Sequence, residues 1–149
     1  MPNIIGHCWQ PNRPSEIRRT LEIKYESESK NMSMSLAQKL AADSVAAVAE
    51  GRNLQDVLAE IRAAHPQLTA QENGALQDIA YGCQRYLGSL KHMLGQMLKK
   101  PIDNPKLESL LLAAMYQLHY TRNAPHAVVT EAVESIAKIG RGQFRSFAN

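Results

Sequence analysis

The sequence predicts an all-α protein, a bundle of six or more helices, and three observations carry that prediction. From Met34 onward, apolar residues recur at spacings of three and four, the period that lines one face of an α-helix. Residues that start and stop helices punctuate these stretches at short intervals. No strand-like alternation of apolar and polar residues is sustained. Aromatics make up only 5% of the chain, so Leu, Ala, Val, Ile and Met must build the core, a composition that suits helices. At 149 residues the chain is long enough for one domain with a sizeable interior.

Residues 1–31 differ from the rest. Trp9, Pro11, Pro14 and the polar run from Glu22 to Lys30 show no period, and an extension with little fixed structure is expected there, ahead of a helical domain at 32–149. In the first helix Leu36, Leu40, Ala41, Ser44, Val45 and Val48 share a face. Gly51 is its natural stop, because glycine tolerates positive φ. Asn53 can cap the next helix, whose short stripe is Leu54, Val57, Leu58 and Ile61, closed by Pro66. Thr69 and Glu72 have the spacing of a capping box, in which each side chain bonds the other residue's backbone amide. Leu76, Ile79, Ala80, Cys83 and Leu87 then point inward, and Gly88 permits a break. Beyond it Leu90, Met93, Leu94, Met97 and Leu98 continue an apolar face.

Asn104-Pro105 is a strong helix start, with proline at the first helical position. Leu107, Leu110, Leu111, Ala114, Met115 and Leu118 form the cleanest stripe in the chain, and this helix is expected at the centre of the core. Pro125 opens another, with Val128, Val129, Ala132, Val133 and Ile136 inward and Gly140 and Gly142 at its end. Phe144 to Asn149 reads as the beginning of one more helix that is cut short.

The residues supply little chemistry of a catalytic kind. Cys8 and Cys83 lie far apart without a CxxC or Cys/His spacing, which reads as two reduced thiols in a cytoplasmic protein, with Cys83 in the core. No apolar run approaches the ~20 residues of a membrane span, and no secretory signal is evident. His7, His65, His92, His119 and His126 form no metal-binding spacing, and His126, next to Pro125, is given a local structural role. Glu131 and Glu134 are read as solvated carboxylates. No glycine-rich loop exists to cradle phosphates. The chain is therefore expected to hold no catalytic residue, no metal and no cofactor.

Charge is distributed unevenly. Up to Gln84 there are 8 Lys/Arg against 10 Asp/Glu, a net of −2; from Arg85 there are 9 against 4, a net of +5. A basic half attracts polyanions, with an attraction that weakens steeply in salt. Arg85 and Lys91 near the Gly88 bend, and Arg141 and Arg145 around Gly142, are candidates for RNA-phosphate contact. Lys99 and Lys100 are explained by the helix they end, since cations stabilise a helix C-terminus. Tyr81, Tyr86, Tyr116 and Tyr120 could stack on unpaired bases, although their spacing also suits a partly buried helix face.

The stretch Leu107-Glu-Ser-Leu-Leu-Leu-Ala-Ala-Met-Tyr-Gln-Leu-His-Tyr-Thr-Arg122, followed by Ala124-Pro-His-Ala-Val-Val-Thr-Glu-Ala-Val-Glu134, resembles the NusB family, and the closing Phe144-Arg-Ser-Phe-Ala-Asn149 resembles that family's Phe-x-Asn. The likeness extends loosely back to Ser35. It implies a NusB-like helical bundle that binds RNA. Two branches share this domain: free-standing transcription antitermination factors, which act with a ribosomal protein, and the N-terminal domain of bacterial small-subunit rRNA cytosine-5 methyltransferases (the Sun, or Fmu, family). Tyr116 to Val129 and Leu76 to Leu87 are closer to the second. Free-standing factors tend to an arginine-rich entry to the first helix; here that entry carries only Lys30 and Lys39, which remain RNA-contact candidates. The methyltransferase branch implies ribosomal RNA as partner, together with a C-terminal domain of the same protein that holds S-adenosylmethionine and the catalytic cysteines. Neither Cys8 nor Cys83 matches those motifs, so the role implied for this chain is to position RNA. The helix cut short at Asn149 suggests a piece of a longer protein.

Overall fold

The computed structural model describes residues 36–139. Six helices occupy these residues: α1 (36–49), α2 (Leu54–Ala64), α3 (Ala70–Arg85), α4 (Leu87–Met97), α5 (Pro105–Tyr120) and α6 (Pro125–Ile139). The expectations for 1–31 and for a helix starting at Phe144 lie outside the described residues.

Local chemistry accounts for the helix ends. Gly51 adopts φ 94°, which ends α1 without the strain a side chain would bring. The Asn53 side-chain oxygen Oδ1 accepts from the amides of Gln55 and Asp56 at the start of α2. At α3 the capping box is complete: the Thr69 hydroxyl accepts from the Glu72 amide at 3.2 Å while the Glu72 carboxylate accepts from the Thr69 amide at 2.7 Å. Asn104 caps α5 through the amides of Lys106 and Leu107, with Pro105 behind it. Replacing the Thr69 side chain orphans one amide and releases Glu72. Thr69→Ala is thus expected to cost about 1 kcal/mol, measured as a lower denaturation midpoint at unchanged m-value; an unmoved midpoint would contradict the cap's role.

The helix α5 is the centre of the bundle, packed against α3, α4 and α6. One core joins Leu40, Ala41 and Val45 of α1, Leu58 of α2, Leu76, Ile79 and Cys83 of α3, Leu90 and Leu94 of α4, Leu107, Leu110 and Leu112 of α5 and Ile136 of α6. A central helix touched on several sides cannot keep a single apolar stripe, and α5 buries Ser109, Leu112, Ala113, Tyr116 and Gln117 besides much of the expected face. Polar groups inside are partly paired: Gln38 of α1 donates its Nε2 to the Gln117 side-chain oxygen Oε1 at 2.6 Å, both side chains fully buried. The Ser44 hydroxyl donates to the Ala41 carbonyl at 2.6 Å.

The structure departs from the sequence expectations at four places. The break between α3 and α4 falls at Tyr86 and not at Gly88, whose Cα faces open space; Tyr86 leaves the helix where its ring stacks on Tyr120. Met97 is 74% exposed and Leu118 also faces solvent, each in the last turn of its helix. In α6 the buried set is Val128, Glu131, Ala132, Ser135 and Ile136, a rotation that leaves Val129 exposed. Glu131, read as a solvated carboxylate, is accordingly only 6% exposed, whereas Glu134 is exposed.

Candidate functional site

At the end of α3 and the end of α5, four tyrosines meet. Tyr81 and Tyr86 come from the end of α3 and its cap, and Tyr116 and Tyr120, one turn apart, from α5. Tyr86 and Tyr120 stack face to face at 4.0 Å with 9° between their planes. Tyr116 lies 5.7 Å from Tyr120 and 6.4 Å from Tyr86, inclined 23° to each, and His119 meets Tyr120 edge-on. These separations are those of mutually attractive aromatic pairs. Together with Gln77, Asp78, Gly82 and Arg85, the rings enclose an open recess of about 280 Å³.

Two contacts hold the recess in shape. The Tyr116 hydroxyl donates to the Asp78 carboxylate at 3.2 Å, and burial, then the Asp78 charge, pushes its pKa up to about 12, so it stays a donor. Gly82 supplies the room: a Cβ there would fall 2.0 Å from the Tyr116 ring. A mid-helix glycine costs up to about 1 kcal/mol against alanine and so signals, in the sequence itself, a packing reason such as this one. Tyr81 at 40% exposure and Tyr120 at 39% leave ring surface open to solvent, and the exposed Arg85 adds a cation at the rim. Open π-faces can stack on planar partners, and the guanidinium beside them attracts an anionic one.

The candidate residues named from sequence do not form one cluster. Arg85 stands at the tyrosine recess. Lys39 lines a different hollow, between α1, α5 and α6. Lys91 on α4 lies 3.8 Å from Glu108 of α5, whose negative charge offsets its own. Lys30, Arg141 and Arg145 lie outside the described residues. Asp78 and Gly82, which shape the recess, were not singled out from sequence, because their roles depend on a ring supplied by α5.

Cys83 is fully buried, and burial, reinforced by the Asp78 charge, pushes its thiol up to about 12. Among the described residues no group of three or more His, Cys, Asp or Glu is placed to hold a metal ion, and no helix is long and apolar enough to cross a membrane.

By class, this is an all-α bundle domain with a solvent-open aromatic recess. The chain belongs to the NusB family, whose model matches residues 35–149. It is 34% identical over 113 residues to the ribosomal RNA small subunit methyltransferase B of Sodalis glossinidius, a match covering 74% of this chain and 25% of that protein. The protein of the same name from Cronobacter sakazakii is 30% identical over 115 residues, covering 75% of this chain and 26% of its own length. The chain thus spans about a quarter of the length of the curated relatives it matches.

Proposed function

We propose that this chain is a non-catalytic RNA-binding domain that positions ribosomal RNA for an rRNA (cytosine-5) methyltransferase domain. The observation that carries RNA contact is the tyrosine recess with Arg85 at its rim: aromatic faces stack on unpaired bases whatever their identity, and an adjacent cation favours the strand. The likeness to two rRNA methyltransferases supports ribosomal RNA as the target.

The tyrosine recess is not built to cradle S-adenosylmethionine or to present a nucleophile. The space beside Gly82 is filled by the Tyr116 ring, and the one thiol here is buried and held protonated, which disables it as a nucleophile. On this reading methyl transfer is the work of another domain, and this one contributes binding and orientation.

Titration of fluorescent small-subunit rRNA fragments carrying unpaired loops tests the reading. Binding is expected to weaken as salt rises, and Tyr81→Ala is expected to weaken loop binding about tenfold, within the ~1–3 kcal/mol of one base–aromatic stack. Tyr81 has no ring partner in the stack, so its removal leaves Tyr86, Tyr116 and Tyr120 in place. No affinity for loops above that for duplex of unrelated sequence would overturn the reading. Methyl transfer by this chain alone would overturn its non-catalytic part. Tight binding that requires a ribosomal protein would favour the antitermination branch of the family instead.

A further inference from the structure

We infer that the hollow between α1, α5 and α6 is a second, sequence-independent contact for the same nucleic acid, a seat for backbone phosphate formed by Lys39, Lys106 and Lys138. The inference rests on the RNA reading above and adds a site to it.

The hollow has a volume of about 420 Å³, and each of its three helices contributes one lysine. Ser135, itself buried, forms part of its wall, and Asp43 is the carboxylate among its lining residues. Three ammonium groups against one carboxylate leave the hollow net positive. Among the described residues, none of the three lysines has a carboxylate within ion-pair distance, in contrast to Arg52 with Glu60 and Lys91 with Glu108. Asp43 feels Lys39 from its own helix and Lys106 from α5; desolvation raises its pKa, and these cations and His65 oppose the rise.

Helix energetics explains only one of the three. Lys138, in the last turn of α6, interacts favourably with the negative end of the helix dipole. Lys106 is the second residue of α5, at the positive end, where a cation is unfavourable and where Asn104 and Pro105 already complete the start. Lys39 precedes Asp43 by four residues, the less favourable order for a helical ion pair. One lysine placed against local helix preference, and three brought together from distant parts of the chain, point to a ligand with negative charge. Ammonium groups act on phosphate as point charges without the planar fork that reads a base edge. The site is therefore suited to hold a strand in place without reading its sequence. Along α5, Lys106 and Tyr120 are separated by about 21 Å at ~1.5 Å per residue, so a strand engaging both sites is several nucleotides long.

The test compares the 149-residue chain with its triple variant Lys39→Gln/Lys106→Gln/Lys138→Gln, using labelled unpaired rRNA loops of two unrelated sequences at about 50 and about 200 mM salt. Thermal melts verify that the variant folds, and Lys106→Arg/Lys138→Arg restores charge with a different head group. The triple variant is expected to bind both sequences more weakly by a similar factor. Its slope of log affinity against log salt should be shallower by about 2, at ~0.7 per phosphate on a single strand. The arginine variant should bind close to wild type, and Lys99→Gln/Lys100→Gln should change the slope less. Wild-type binding with an unchanged slope in the triple variant would overturn the site while leaving the tyrosine recess standing. No RNA binding by the wild type would overturn both. Saturable binding of inorganic phosphate at the hollow, with RNA affinity unaffected by the substitutions, would assign it to a free anion and overturn the strand contact.

Discussion

Gly82→Ala should lower stability by about 2 kcal/mol, a fall of roughly 8 °C in Tm for a domain of this size. Two effects oppose each other. Alanine favours the helix by up to about 1 kcal/mol over glycine. Against this, the new methyl group would lie 2.0 Å from Cζ and 2.3 Å from Cε2 of Tyr116, well inside van der Waals contact. The ring has no easy retreat, since it is tied to Asp78 by its hydroxyl and flanked by Tyr86 and Tyr120. Overpacking of this kind costs ~1–3 kcal/mol or more, so the steric term wins. Gly74 of the same helix is the internal control: a Cβ there meets nothing within 4 Å, and Gly74→Ala should stabilise by about 0.5–1 kcal/mol. Denaturant titrations of the two variants check the contrast. A stabilised Gly82→Ala would mean that the Tyr116 ring does not occupy this position. The same variant should also weaken loop binding, because shifting Tyr116 disturbs the stack that walls the recess.

Raising the pH from about 5 to about 8 should cost the protein stability through Glu131. Desolvation in α6, with a smaller contribution from the Glu134 charge, pushes its pKa up to about 7 from the ordinary 4.5. The carboxyl oxygen Oε1 is buried with no hydrogen-bond partner, which disfavours the charged form. Between those two pH values the folded state binds more protons than the unfolded chain, so stability falls as pH rises and levels off above the folded pKa; below about 4.5 the group is protonated in both states and contributes no slope. The full shift converts at ~1.4 kcal/mol per unit, and solvent screening at a partly accessible carboxyl brings the expected loss to about 1–2 kcal/mol. Glu131→Gln should remove this slope and be the more stable protein at alkaline pH. Glu134→Gln should move the midpoint of the slope to lower pH without abolishing it. Stability that is flat from pH ~5 to ~8 in the wild type would show that Glu131 reaches water or a cation.

Much of the architecture was legible in the chain because the relevant signals act within a turn or two. Asn53, Thr69 and Asn104 cap the helices they precede, and Gly51 adopts the positive φ that ends α1. Each of these needs only neighbours in sequence, and so does the period of three and four that places Leu76, Ile79 and Cys83 inside. The tyrosines were visible as candidates, but their stacking was not, since Tyr86 and Tyr120 belong to helices that only packing brings together.

Long-range packing settled the remainder. In α6 the face buried against α5 takes in Glu131 and Ser135 and leaves Val129 exposed. The buried amide pair of Gln38 and Gln117 joins residues 79 apart, and the three lysines of the second hollow come from three different helices. A cap or a turn is governed by bonds between near neighbours and is written in a few consecutive residues. The choice of buried face, the room opened by Gly82 and the convergence of distant charges depend on surfaces that meet only after the helices have packed.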